Sequence, residues 1–153
     1  MYTKEEASKL KEAFWTAFGK YLAPVPSAEG LKINWVNYKT GIRNIKFFMD
    51  GDTKKASVGI KLFHDDPDIQ ELVFEEFVKL KPQIEEYLQD EWSWILHVTD
   101  GNEKFISRIY KELPGVNLFN QDDWPAIISF LKPRIIALDA FWCDWKYNFE
   151  GLV

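Results

Sequence analysis

Residues 45–62 read IKFFMDGDTKKASVGIKL and contain two alternating segments separated by a turn. Apolar residues at every second position are Ile45, Phe47 and Met49 in the first segment, and Ala56, Val58, Ile60 and Leu62 in the second. Such alternation is typical of strands with one buried face, and Asp50-Gly51-Asp52 is a turn sequence. This stretch therefore predicts a β-hairpin. Leu31, Ile33 and Trp35 alternate in the same way upstream, so we expect a three-stranded antiparallel meander.

Helical patterns flank this meander. Thr3 and Glu6 form a capping box before an apolar stripe that Pro24 ends. Asp66-Pro67 starts a second helix that runs to about residue 84, with Pro82 bending its far end. Residues 92–98 and 105–113 read as two further strands, and a long helix follows Asp123. The predicted order is αβββαββα, an α+β fold with a mostly antiparallel sheet and flanking helices.

The composition limits the class of protein. A chain of 153 residues fits one domain, 1–153. The lone Cys143 excludes a disulfide framework and a cysteine-rich zinc site. The chain lacks a run of 18 apolar residues and a signal-peptide pattern, so we expect a cytoplasmic protein without a membrane partner.

Charge is distributed unevenly along the chain. Residues 31–62 carry seven Lys or Arg against two Asp, whereas residues 63–91 carry ten acids against two Lys. Basic residues on the meander, interleaved with aromatic residues, could neutralise phosphates while the rings stack on bases. The candidate nucleic-acid-binding residues are Lys39, Arg43, Lys46 and Lys61. The net charge of −5 works against this hypothesis, and a solvated strand face is the simpler reading.

Aromatic residues are abundant, with seven Trp, six Tyr and twelve Phe. The last helix has more aromatic residues than one apolar stripe needs, which suggests packing on two sides. Trp142, Trp145 and Phe149 are therefore candidates for a homodimer or partner interface. The alternative is that they pack in the core of their own domain.

Residues with catalytic or metal-binding chemistry form no recognisable motif. His64-Asp65-Asp66 with Asp68 is the densest group of possible ligands, but helix starts recruit Asp without any metal. His97 lacks a nucleophile at a characteristic spacing, and Cys143 reads as an inert thiol. We therefore predict no cofactor and no metal site.

Several motifs resemble a bacterial family known as domain of unknown function 4268. They are PSAEGLKINWVNYKTG at 26–41, DWP at 123–125 and KPRIIALD at 132–139, supported by YTKEEA at 2–7 and AFW at 13–15. The resemblance covers nearly the whole chain and implies a small cytoplasmic bacterial protein with an α+β fold. It implies no activity, because the family has none established.

The element order is also similar to the core of restriction-endonuclease-like nucleases. Such enzymes need an acid two residues before a lysine on the third strand, where this chain has Gly59-Ile60-Lys61. A tight turn at Gly51-Asp52 would pair Lys61 with Ile42 or Arg43 and leave Asp50 about 25 Å away. We therefore expect a degenerate nuclease-like core without metal-dependent cleavage.

Two functional hypotheses follow. The first is a non-catalytic binding or accessory module that contacts a protein partner or itself through aromatic surface. The alternative is a nucleic-acid-binding module that uses the basic meander and has lost the nuclease acids. The sequence is also compatible with a small-molecule pocket among the aromatic residues.

Overall fold

Helices cover one face of a four-stranded antiparallel sheet in the computed structural model, which describes residues 2–152. The helices are α1 (Lys4–Leu22), α2 (Pro67–Lys79), α3 (Lys81–Leu88) and α4 (Trp124–Trp145). The strands are β1 (Ile45–Gly51), β2 (Lys55–Leu62), β3 (Ser93–Thr99) and β4 (Phe105–Pro114). Short 3-10 turns, Gln121–Asp123 and Lys146–Asn148, flank α4. The predicted α+β class is confirmed, whereas the restriction-endonuclease-like core is not.

The sheet has the order β1-β2-β4-β3, and every neighbouring pair is antiparallel. Alternate residues of the strands face the helices and form the hydrophobic core together with them. The buried core residues of the strands are Ile45, Phe47, Ala56, Val58, Ile60, Leu62 and Ile109. The intervening residues form the opposite face, and none of them belongs to the core that the described residues build. We call this second side the open face.

The last helix, α4, is the centre of the helical layer and packs against β1 and β2. Its Trp142 ring lies 5.5 Å from the ring of Phe47 and 5.3 Å from that of Phe149. Apolar burial on this scale is the main term that holds the two layers together. No helix within residues 2–152, α4 included, has the length and apolar character needed to cross a membrane.

The predicted strand at residues 31–36 is wrong, and the observed order is αββααββα. Residues 23–44 form an irregular segment instead. The hydroxyl of Ser27 accepts from the backbone N–H of Leu31 at 3.2 Å, and the indole of Trp35 donates to the carbonyl of Val25 at 2.9 Å. These local bonds satisfy backbone groups that a strand would pair with a neighbour, which is how turn residues compete with sheet formation.

The hairpin between β1 and β2 forms in a different register from the predicted one. Lys61 pairs with Lys46, not with Ile42 or Arg43. The cause is Asp52, whose carboxylate accepts from the backbone N–H groups of Lys54 and Lys55 at 2.8 and 2.9 Å and moves the turn toward β2. Asp50 pairs with Ser57, so it lies about 13 Å along the strand from Lys61, about half the predicted separation.

The helix boundaries follow the sequence signals closely. The hydroxyl of Thr3 accepts from the backbone N–H of Glu6 at 3.1 Å, and the carboxylate of Asp66 accepts from that of Asp68 at 2.9 Å. Both predicted N-caps are thus confirmed.

Pro82 does more than bend the predicted second helix, which ends at Lys79; a separate helix, α3, begins at Lys81. A proline there removes one helical N–H and crowds the preceding turn.

Gly59 at the centre of β2 has no room for a side chain. A Cβ atom at this position would lie 2.3 Å from the carbonyl oxygen of Ile109 and 2.8 Å from the Cα of Tyr110. We expect Gly59→Ala to lower the free energy of unfolding by about 1–3 kcal/mol, measured by urea denaturation. Gly19→Ala is the matched control. Gly19 lies inside α1, and a Cβ there would lie 3.4 Å from the side chain of Val36, an ordinary contact distance. The free energy of unfolding of Gly19→Ala should rise by up to about 1 kcal/mol. Equal changes in Gly59→Ala and Gly19→Ala would contradict the close packing at Gly59.

Candidate functional site

The open face carries a row of three cations across three strands. Lys46 on β1 pairs with Lys61 on β2, and Lys61 pairs with Arg108 on β4. Adjacent strands lie about 4.8 Å apart, so the row spans about 10 Å. None of the three forms an ion pair with an acidic side chain of residues 2–152. We call this set the basic row; its like charges repel one another across the strands.

Aromatic side chains lie directly beside the basic row. Phe48 pairs with Gly59, and Gly59 pairs with Tyr110, which places a side-chain gap between two rings. The guanidinium of Arg108 fills this part of the surface, 4.1 Å from the ring centre of Tyr110 and 5.2 Å from that of Phe48. Both rings are half-buried, so each presents part of its surface to solvent. We call this set the aromatic row; it consists of the two rings of Phe48 and Tyr110 with Gly59 between them.

The structure brings together two of the four predicted basic residues. Lys46 and Lys61 are cross-strand neighbours, whereas Lys39 and Arg43 lie in the irregular segment outside the sheet. The reason is that residues 31–36 do not form the predicted strand and that β1 begins only at Ile45. Sequence reasoning missed Arg108 and Tyr110, because only the pairing of β4 with β2 places them beside Lys61 and Gly59.

The predicted aromatic interface needs a correction. Trp142 is 2% exposed and Phe149 is 1% exposed, so both side chains belong to the core of their own chain. Trp145 is half-buried against the same core. The physical reason is that α4 packs against the sheet on one side and against α3 on another, which uses the aromatic residues on both sides. Trp142 and Phe149 therefore lie in the core and form no exposed aromatic surface on α4.

A cleft of about 450 Å³ lies between the irregular segment and the C-terminal half of α4. The segment contributes most of its wall, including Glu29, Leu31, Ile33, Tyr38 and Lys39. Helix α4 and the turn after it contribute Asp139, Trp142, Cys143 and Lys146. The motif at 26–41 and the motif at 132–139 thus meet at one place in the fold. A long irregular segment in a compact fold is often functional.

Asp139 attaches the segment to α4. Its carboxylate is 2% exposed and accepts from the hydroxyl of Tyr38 at 2.6 Å and from the backbone N–H of Ala28 at 2.7 Å. Burial and then this hydrogen bond raise the pKa of Tyr38. Burial, followed by the Asp139 and Glu29 carboxylates, raises the pKa of Cys143 to about 12. The Cys143 thiol is therefore protonated at neutral pH and is a poor nucleophile.

The candidate catalytic or metal-binding residues from the sequence include His97 and the group His64, Asp65, Asp66 and Asp68, and their positions serve the fold. Among the described residues, no three His, Cys, Asp or Glu side chains are arranged to hold a metal ion. The ring Nε2 of His97 lies 3.0 Å from the carbonyl oxygen of Pro67, and its backbone N–H donates to Ser107, which fixes a bulge in β3. His64 is 3% exposed, and neither ring nitrogen has a hydrogen-bond partner within residues 2–152.

Replacing the hydroxyl that holds Asp139 should weaken the fold. Tyr38→Phe removes a charge-assisted hydrogen bond and leaves a buried carboxylate oxygen with one donor fewer. We expect the free energy of unfolding to fall by about 1.5–3 kcal/mol, measured by urea denaturation. Tyr21→Phe is the matched control, because Tyr21 is 55% exposed. Its effect should stay within about 0.5 kcal/mol, and a similar loss in both variants would contradict the role of Asp139.

His64 should make stability depend on pH. Burial lowers its pKa below the usual value of about 6.5, so the unfolded chain takes up a proton first. The free energy of unfolding should therefore fall as pH decreases below about 6.5, by at most about 1.4 kcal/mol per pH unit. Urea denaturation between about pH 7.5 and about pH 5.5 measures this slope. His64→Gln should flatten it and His97→Gln should not; an unchanged slope in His64→Gln would exclude this residue as its source.

A model of a known protein family matches most of the chain. The family model described as "Domain of unknown function (DUF4268)" matches residues 10–146, which include the irregular segment, the whole sheet and α4. No curated protein and no solved structure matches the chain. The resemblance expected from the motifs at 26–41 and 132–139 is confirmed. The chain belongs to the DUF4268 family.

Proposed function

We propose that the chain is a binding module for single-stranded nucleic acid and that the open face is its binding surface. The observation that carries this proposal is the basic row beside the aromatic row. Single strands are bound elsewhere by the same combination, in which cations neutralise phosphates and aromatic rings stack on bases. The proposal concerns binding alone, because Gly59 stands two residues before Lys61, where metal-dependent cleavage would need an acid.

The unpaired charge of the basic row supports an anionic ligand. Lys46 faces Lys61 and Lys61 faces Arg108, and like charges directly opposite one another destabilise a sheet. Asp100 is one acid in the field of Lys61; its carboxylate accepts from the backbone N–H groups of Asn102 and Lys104 and forms no ion pair with a cation of residues 2–152. A bound phosphate chain would relieve the repulsion that these side chains leave in place.

Two acids of the open face form local ion pairs. Asp50 lies 3.4 Å from the ammonium of Lys11, and Glu112 lies 2.8 Å from that of Lys55. Six of the ten acids in residues 63–91 lie on α2 and α3, which belong to the helical layer, whereas Asp65 lines a pocket with Lys46 and Lys61. The net charge of −5 should therefore slow association without cancelling the local attraction.

Fluorescence anisotropy with labelled single-stranded DNA and RNA of about 15 nucleotides tests the proposal. We expect binding that weakens with salt. The logarithm of the association constant should fall against the logarithm of the salt concentration with a slope of about −2, since three cations contribute about −0.7 each. Lys46→Gln and Lys61→Gln should each weaken binding and reduce the slope by about 0.7. Phe48→Ala should cost about 1–3 kcal/mol of binding free energy through lost stacking.

Lys9→Gln is the matched control, because it removes the same charge from an exposed position on α1. It should leave both affinity and salt slope unchanged. Equal losses in Lys9→Gln and Lys61→Gln, or no binding even at low salt, would sink the proposal. A dimer that forms without nucleic acid and is broken by Lys61→Glu would instead assign the open face to self-association.

A further inference from the structure

The cleft beside α4 is a second site, separate from the open face. It lies in the helical layer, and its volume of about 450 Å³ is within the range of small-molecule sites. None of its lining residues belongs to the basic row or the aromatic row. Ligand binding in this cleft does not depend on nucleic-acid binding at the open face, and either can be absent without the other.

The charge inside the cleft is a carboxylate without a cation. Asp139 is 98% buried, and no Lys, Arg or His of residues 2–152 lies within ion-pair distance of it. Its contacts are a hydroxyl, a backbone N–H and the Cys143 thiol, whose sulfur is 3.7 Å from Oδ1. All three are neutral donors. Burying a charge without an opposite charge is costly, so the position favours a cation at the site.

Two lysines also line the cleft. Lys146 lies 3.9 Å from the carboxylate of Glu29, a long contact that makes this pair close to neutral overall. Lys39 is exposed to solvent, where water screens its charge. The interior therefore keeps the negative charge of Asp139, and both carboxylates contribute to the raised pKa of Cys143.

Apolar surface forms the rest of the cleft. Ile33 is half-buried in its wall, and Leu31 is 57% exposed there. The Trp142 side chain also lines the cleft, and its indole N–H is already used by the carbonyl of Thr40 at 2.8 Å. A ligand for this surface needs an apolar body beside its charged group. An organic cation combines both properties and gains from nearby aromatic rings.

We propose that the cleft binds a small primary amine with an apolar body, with its ammonium directed to Asp139 and Glu29 and its carbon skeleton against Leu31, Ile33 and Trp142. The O–H of Tyr38 donates to Asp139, and its oxygen keeps a lone pair that can accept from the ammonium. Recognition of the ligand is thus by charge and by size, not by covalent chemistry.

Binding of benzylamine to the full chain tests the proposal, with benzyl alcohol and benzoate as neutral and anionic probes of the same shape. Intrinsic tryptophan fluorescence and the backbone amide signals of residues 27–40 and 139–146 are the measurements. We expect saturable benzylamine binding at this site, about tenfold or more tighter than benzyl alcohol binding, because a charge-assisted contact is lost with the alcohol.

Two variants assign the charge that is recognised. Asp139→Asn keeps the side-chain volume and should weaken benzylamine binding about tenfold or more. Lys146→Met keeps the apolar stem, releases Glu29 from its ion pair and should tighten binding about two- to fivefold. If Asp139→Asn fails to fold, two measurements still decide whether the cleft recognises the ammonium by its charge. They are the comparison of the three probes on the unmodified chain and the affinity of Lys146→Met.

Several outcomes would overturn the proposal. They are benzoate binding as tightly as benzylamine, benzylamine signals that map outside the cleft, and an unchanged affinity in Asp139→Asn. Absence of binding by benzylamine at millimolar concentration would overturn it as well. Loss of nucleic-acid binding in Lys61→Gln has no bearing on these results, since Lys61 lies on the other layer.

Discussion

One buried carboxylate holds the irregular segment of residues 23–44 against α4. Asp139 accepts from Tyr38 and Ala28, and the neighbouring indole of Trp142 donates to the carbonyl of Thr40. Thr40 in turn donates to the carbonyl of Ile45 at 2.7 Å, where β1 begins. The attachment on α4 therefore reaches the edge of the sheet through a short chain of hydrogen bonds. The wall of the cleft and the starting point of β1 both depend on it.

The sheet divides the chemistry of the molecule between its two faces. The helical face takes up the apolar residues of the strands, since burial there removes them from water. The open face is left with charged, aromatic and small side chains, whose arrangement is set by the pairing of three strands. The Lys46–Lys61 pair places like charges opposite each other between the edge strand β1 and β2, which weakens the fold slightly.

The sequence was informative where a local rule decides the structure. The capping residues Thr3 and Asp66 and the alternation in 45–62 predict α1, α2, β1 and β2, because each signal acts over a few neighbouring positions. The alternation of Leu31, Ile33 and Trp35 was misleading, because Ser27 and Val25 supply local partners that outcompete a strand. Tertiary contacts of this kind leave no periodic signal.

The candidate sites depended on contacts between distant parts of the chain. Lys46 and Lys61 could be found from charge alone, but Arg108 joins them only through the β2–β4 register. Asp139 was visible only as part of a family motif, and its meeting with Tyr38 joins residues 101 positions apart. The aromatic residues of α4 carried no mark that separates core from surface. Their burial follows from two packed sides of one helix, which a single apolar stripe does not specify.

The attachment of the segment to α4 also sets an order of events during synthesis. Ala28 and Asp139 are 111 residues apart, and a growing chain presents the segment long before it presents the helix. The β1–β2 hairpin can close locally in the meantime, since its contacts span few residues. Residues 23–44 have no regular structure of their own to adopt while they wait. A part of the protein that leaves the ribosome early therefore cannot complete its contacts with Asp139 until α4 has been synthesised.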